Sequence, residues 1–196
     1  QRGSSVKFQS DNPLEIFVGR SQLETRVGEL SKEIAQNLDD SKKKKPLLIS
    51  PSYGGNVFAA NLSATLRKPH TLEIVNLVPY AKSKKSGFLR ISHSFSPLNN
   101  ITDRDIILVD GIIDTGMTLK CLFDNLVCHK PRSLTVCVLF DRPDSRLVNV
   151  PISLKGFVAP KLPLVGYGLE HRSRYANLPD VHILSSTKRA ALSNAA

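Results

Sequence analysis

No apolar run in this chain of 196 residues approaches the roughly 20 that a membrane-crossing helix needs, so no membrane span is expected. Cysteine is scarce. Cys121, Cys128 and Cys137 form no CxxC pair and have no histidine at zinc-finger spacing, which excludes a disulfide framework and a zinc ribbon and leaves reduced thiols within predicted helix or strand. No segment repeats, and the stretch from Gln1 lacks a signal-peptide pattern; a start at Gln rather than Met suggests a trimmed chain and leaves a targeting segment open. The basic runs carry no interleaved aromatics and no helix-turn-helix or RNA-binding signature, which argues against nucleic acid as the partner.

What is present fits one folded domain. A hydrophobic content of 41% with 22% charged residues is ordinary for a globular protein, and the length suits a single α/β unit over residues 1–196 rather than two. Lys and Arg outnumber Asp and Glu by 27 to 17, a formal charge of +10 that suits a phosphorylated metabolite, nucleic acid or an acidic membrane surface, and equally a solvated basic face such as 42–45.

Ser21 with Glu24 has the form of a capping box, and Leu23, Val27, Leu30, Ile34 and Leu38 then recur at helical spacing. A short buried strand is expected at 47–49, then Ser52-Tyr53-Gly54-Gly55 and a helix at 57–66. The paired glycines suit either close backbone approach to a ligand or a plain tight turn. Residues 71–78 predict a strand. The stretch 79–100 has no clear period and carries Lys82, Lys84 and Lys85, which suits a cationic lid. Further strands are expected at 106–109, 134–140, 156–158, 164–165 and 181–184. Leu119, Leu122, Phe123, Leu126 and Val127 mark the stripe of another helix, and 185–196 reads as a frayed tail. Strands that are apolar without alternation, interspersed with helices, predict an α/β fold: a mostly parallel twisted sheet flanked by helices on both faces.

The stretch IILVDGIIDTGMTL, residues 106–119, concentrates the chemistry. Ligands of open parallel sheets sit beyond the carboxyl ends of strands, and a loop feeding a helix start offers unpaired N–H groups and a positive dipole end to an anion. Thr115, Gly116, Met117 and Thr118 are spaced to wrap a phosphate. Asp110, at the expected strand end, suits the vicinal hydroxyls of a ribose. Alternatively, Asp110 and Asp114 cap turns.

ILVDGIIDTGMTL resembles the 5-phosphoribosyl-1-pyrophosphate (PRPP) motif of type I phosphoribosyltransferases, in the form of the hypoxanthine-guanine branch. LETRVGELSKEIAQ, GGNVFAANL, LFDRPDSR and LVGYGLEHRSRYANLP agree with that branch in order and spacing, so the resemblance spans about 14–184. It implies a type I phosphoribosyltransferase fold with a small hood and a flexible lid. It also implies purine salvage: hypoxanthine or guanine plus PRPP giving IMP or GMP plus pyrophosphate, with Mg2+ as cofactor, in a cytoplasmic homodimer or homotetramer. Residue by residue, Asp114 matches the acid that meets purine N7, and Thr115, Gly116, Met117 and Thr118 match the 5'-phosphate loop. Asp110 matches the first ribose acid, and Gly54 and Gly55 the loop beside pyrophosphate. Arg142 takes the place of a Lys on the purine O6 group, Val165 with Leu164 reads the base edge, and Pro163 stands at the base-stacking position. Tyr80 falls in the lid, and Glu170 with Asp110 is the metal-side pair.

Several positions depart from the family pattern. Gly111 stands for a second ribose acid, a loss of about 1.5 to 3 kcal/mol if nothing replaces that charge-assisted bond. Tyr53 stands for Lys, Pro79 for the lid Ser, Pro163 for an aromatic and Ala176 for Arg, with Arg172 or Arg174 as neighbouring substitutes for the last. The departures cluster at substrate contacts while the apolar framework is kept. Two readings follow: an active purine transferase, or a catalytically weak homologue that binds nucleotide or PRPP as a regulatory or assembly subunit.

Overall fold

The computed structural model describes residues 14–38, 44–51, 54–75, 77–79, 89–91 and 101–184. Five parallel strands form its centre: β2 (Leu47–Pro51), β3 (Thr71–Val75), β6 (Asp105–Ile113), β7 (Ser133–Asp141) and β8 (Leu154–Val158), in the order β3-β2-β6-β7-β8. Successive side chains of β6 point to opposite faces, and both faces are apolar. Ile107 and Val109 join a core beneath α1 (Arg20–Gln36) and α2 (Asn56–Thr65), whereas Ile106 and Leu108 join a second core under α3 (Met117–Cys128). That double burial is why this strand reads as an unbroken apolar run.

The helical stripes fall largely where spacing predicts. Leu23, Val27, Leu30 and Ile34 are buried on α1, as are Leu119, Leu122 and Leu126 on α3; Val127, at the edge of its stripe, stays exposed. The start of α1 differs from expectation. Its N-cap is Gly19, whose N–H donates to Gln22 Oε1 at 3.0 Å, and the Arg20 N–H donates to Asp180 Oδ1 at 2.7 Å. A Gly19–Gln22 box, with Asp180 adding a tertiary acceptor from far along the chain, thus stands in place of the expected Ser21–Glu24 box, and Glu24 pairs with Arg20 instead.

Beside the main sheet lies a small antiparallel one, β1 (Leu14–Val18), β10 (Val181–Leu184) and β9 (Leu164–Val165), with β10 in the middle. The single strand expected at 71–78 is two: β3 in the main sheet, and β4 (Leu77–Pro79), which pairs antiparallel with β5 (Leu89–Ile91). That pair of strands takes up residues 79 and 89–91 of the 79–100 stretch expected to be a flexible lid. Tyr53, Tyr80 and Lys82, Lys84 and Lys85 lie outside the described residues.

Candidate active site

Strand β6 does not end at Asp110; it runs on through Gly111 and Ile112 to Ile113, paired with Val138, Phe140 and Asp141 of β7. Asp110 is therefore a buried strand residue, with 8% of its surface exposed. Its carboxylate accepts the backbone N–H groups of Gly111 and Ile112. Burial outweighs these bonds, and, with Asp114 nearby adding repulsion, its pKa is raised to about 7.

Gly55 lies directly over this carboxylate. A Cβ built there would stand 3.1 Å from Asp110 Oδ1 and 2.7 Å from Ser50 Oγ. Gly111 is closer still to the same loop: its Cβ would fall 2.1 Å from the Gly54 carbonyl oxygen and 3.4 Å from the Gly55 Cα. Where the family pattern carries a second acid, this chain brings main chain against main chain. On the other side of that carbonyl stands Gly168, whose Cβ would lie 3.7 Å from it. The turn bearing exposed Glu170 thus adjoins the Gly54–Gly55 loop.

Past Ile113 the chain leaves the sheet and turns into α3. Gly116 is the N-cap with φ +84°, a left-handed conformation that a side chain strains, and a Cβ there would meet Arg146 Cδ at 2.9 Å. The Met117 N–H has only a long bond to Thr115 Oγ1, 3.4 Å, while Thr115 and Met117 are exposed and Thr118 half-buried. A strut holds this turn from beneath. Arg146 donates through Nε to the Asp114 carbonyl at 3.1 Å and through Nη2 to buried Asp141 at 2.5 Å, and Leu147 and Val148 donate their N–H groups to the Thr115 carbonyl. Lys155 adds a second cation to Asp141 at 3.5 Å. Sequence reasoning missed Arg146 and Asp141 as members of the site, although both ends of the DRPDSR run carry the opposite charges that pair.

Asp114 is half-exposed, and its carboxylate accepts from Arg142 Nη1; the other guanidinium nitrogen, Nη2, donates to the Leu162 carbonyl at 2.7 Å. Arg142 Nε is buried without a partner. One side chain thus joins Asp114 to the segment leading into Pro163, Leu164 and Val165. Leu164 and Val165 are buried, held by pairing with Ile183 and His182, and the Pro163 carbonyl accepts from the Leu184 N–H. Ala176 accepts the Gly168 N–H, and Arg172 with Ser173 forms a tight left-handed turn between His171 and Arg174. Among the described residues no three or more His, Cys, Asp or Glu side chains are grouped to hold a metal ion.

The phosphoribosyl transferase domain model matches residues 19–161. The chain belongs to that family. Within it, this transferase is a divergent member of the hypoxanthine-guanine type. It is 34% identical over 167 residues to the hypoxanthine-guanine phosphoribosyltransferase of Mycobacterium avium, covering 83% of this chain and 81% of that one. It is 31% identical to the hypoxanthine phosphoribosyltransferase of Buchnera aphidicola, covering 85% and 93%. Among solved structures, the hypoxanthine-guanine phosphoribosyltransferase of Bacillus anthracis superposes with a TM-score of 0.76 at 29% identity, covering 86% of this transferase and 95% of that protein. A Trypanosoma cruzi hypoxanthine phosphoribosyltransferase in a ternary substrates complex gives 0.78 at 26% identity, covering 88% and 95%. The transferase has the type I phosphoribosyltransferase fold expected from its sequence.

Proposed function

We propose that this transferase joins hypoxanthine or guanine to PRPP, releasing pyrophosphate and forming IMP or GMP. The observation that carries the reading is one sheet end that brings together a buried carboxylate (Asp110), a half-exposed one (Asp114) and a helix-start loop with a left-handed glycine (Gly116), beside the segment of Leu164 and Val165. The N–H groups of the 115–118 loop and the positive end of α3 hold the 5'-phosphate. Asp110 accepts from the ribose hydroxyls. Asp114 meets N7 of the purine and moves its proton, Arg142 donates to O6, and the main chain at Val165 reads the base edge. The transition state resembles an oxocarbenium ion, so positioning and fixed charge do most of the work.

Magnesium fits this donor set in one particular way. The described residues offer no cage of carboxylates, but Mg2+ commonly keeps several waters and binds through one or two carboxylates plus substrate phosphates. Exposed Glu170, on the turn against Gly54, would hold it through water, and Asp110 would do so through the sugar hydroxyls. The ion would neutralise charge on the departing pyrophosphate. Gly54 and Gly55 would lie beside that group. No helix among the described residues is long and apolar enough to cross a membrane; a cytoplasmic homodimer or homotetramer is what the family resemblance implies. Nothing in the arrangement favours the binding-only reading, because both Asp residues and the phosphate loop share one sheet end.

The test is pyrophosphate release from PRPP and magnesium with guanine, hypoxanthine and xanthine in turn. Asp114→Asn is expected to cut turnover by about 10²- to 10⁴-fold, the usual contribution of a positioned acid or base, while leaving the melting temperature unchanged. Undiminished turnover in that variant would remove Asp114 from the mechanism, and no turnover with any base would remove the function.

A further inference from the structure

The missing acid at position 111 is more than a loss. The space in which a side chain would begin is filled by the Gly54 carbonyl oxygen, 2.1 Å from the ideal Cβ, and by the Gly54 carbonyl carbon at 2.9 Å. Both are main-chain atoms, which cannot swing aside as the end of a long side chain can. The Gly54–Gly55 loop then continues over Asp110 and opens α2, whose first-turn bond, Ala59 N–H to the Gly55 carbonyl at 2.8 Å, is already made at this height. The far side of the loop abuts Gly168 and Leu169. A loop lodged between β6 and the 166–169 turn can sit this low only if Gly111 has no Cβ.

We infer that Gly111 is a positioning residue: its bare Cα is the seat of the Gly54–Gly55 loop, and this loop, in place of a second acid, fixes the sugar end of the site over Asp110. The identity of the ligand, a phosphorylated ribose, rests on the function proposed above; the seat itself does not. The consequence runs against the arithmetic of a missing carboxylate. Putting an acid back at 111 lifts the loop and weakens binding, although it restores the charge that the family pattern carries. The strand can accept the change locally, since the backbone at Gly111 is not left-handed, so any effect comes from what lies against it.

The experiment compares Gly111→Ala and Gly111→Asp with the unaltered chain by hydrogen–deuterium exchange and by calorimetry with guanosine monophosphate and with PRPP plus magnesium. Faster exchange is expected in 54–62 in both variants, with Ser133–Asp141 unchanged, and affinity for guanosine monophosphate is expected to fall by about tenfold or more, in keeping with a displaced positioning group. Unchanged exchange in 54–62, or tighter PRPP binding by the Asp variant, overturns the inference. Failure of the Ala variant to fold also overturns it, by making Gly111 a core residue. If the unaltered chain binds neither ligand while the exchange pattern changes as described, the seat stands and the function falls.

Discussion

Two glycine loops cross the carboxyl ends of neighbouring parallel strands, one after β2 and one after β6, and they are supported in different ways. The Gly54–Gly55 loop is held by contact: main chain lies on Gly111 and Gly168, and an enclosed carboxylate lies beneath. The Thr115–Gly116 turn is held by charge and dihedral: a left-handed N-cap rests on the Arg146–Asp141 strut, and the Met117 N–H makes only a long bond to Thr115 Oγ1. The first loop suits a sugar pressed against a packed floor, the second an anion that needs open donors. Both loops hold a left-handed glycine, Gly54 at φ +70° and Gly116 at φ +84°, but only the first also needs a glycine at its neighbour, Gly111, to leave room for its main chain.

Varying the two loops separately tests that contrast. The largest effect is expected beneath the first. With the Asp110 pKa raised to about 7, the folded chain keeps a proton that the unfolded chain has released above the ordinary carboxylate range. Stability of the ligand-free protein in chelator should therefore fall as pH rises from about 4 to about 7, by on the order of 4 kcal/mol, and urea melts of Asp110→Asn should lack that portion of the slope. A wild-type slope identical to that of the variant would mean that the loop does not enclose the carboxylate.

Next comes the strut of the second loop. Asp141→Ala strands Arg146 without its carboxylate and should cost about 3 kcal/mol, as removing one partner of a buried pair does. Phosphate affinity should drop with it, while exchange in 54–62 stays as in the parent; coupled loosening of both loops would break the contrast. Gly116→Ala should cost about 1 to 2 kcal/mol for the left-handed backbone, readable as a lowered melting temperature. The smallest effect is expected at Met117, exposed at 40%, where Ala should shift stability by less than about 0.5 kcal/mol. Phosphate affinity should also hold, since in the proposed site the main chain holds the phosphate there; a marked loss would give the side chain a part in the site.

Much of this was legible in the sequence because it is local. The apolar run of β6, the stripes of α1 and α3 and the Asp-Thr-Gly-Met-Thr turn are each set by neighbours within a few residues, so periodicity and turn chemistry reveal them. The helix start at Gly19 was not, because a glycine cap offers no side-chain signal and one of its acceptors, Asp180, comes from the other end of the fold. Nor was the reason for Gly111: in sequence it is a missing carboxylate, and only the height of Gly54 above β6 shows that a side chain has nowhere to begin. Strand β6 was expected to stop at its first acid, since a carboxylate in a buried strand runs against composition; backbone donors from Gly111 and Ile112 make it tolerable there. Arg142 is matched to the purine's O6 group only through the resemblance, and its bonds to Asp114 and the Leu162 carbonyl depend on two segments that only the tertiary fold brings together.

The pairing of Leu14 with Leu184 in the small sheet has a kinetic consequence. It joins residues from the two ends of the described chain, so among the described residues its closure carries the largest loop entropy, and topology of this kind slows folding. The main sheet, assembled from nearer neighbours, is therefore expected to condense first and the outer ribbon to dock afterwards. Because Asp180 leads into that ribbon and its carboxylate accepts the Arg20 N–H, protection of that N–H in refolding followed by hydrogen exchange is expected to lag behind the rest of α1.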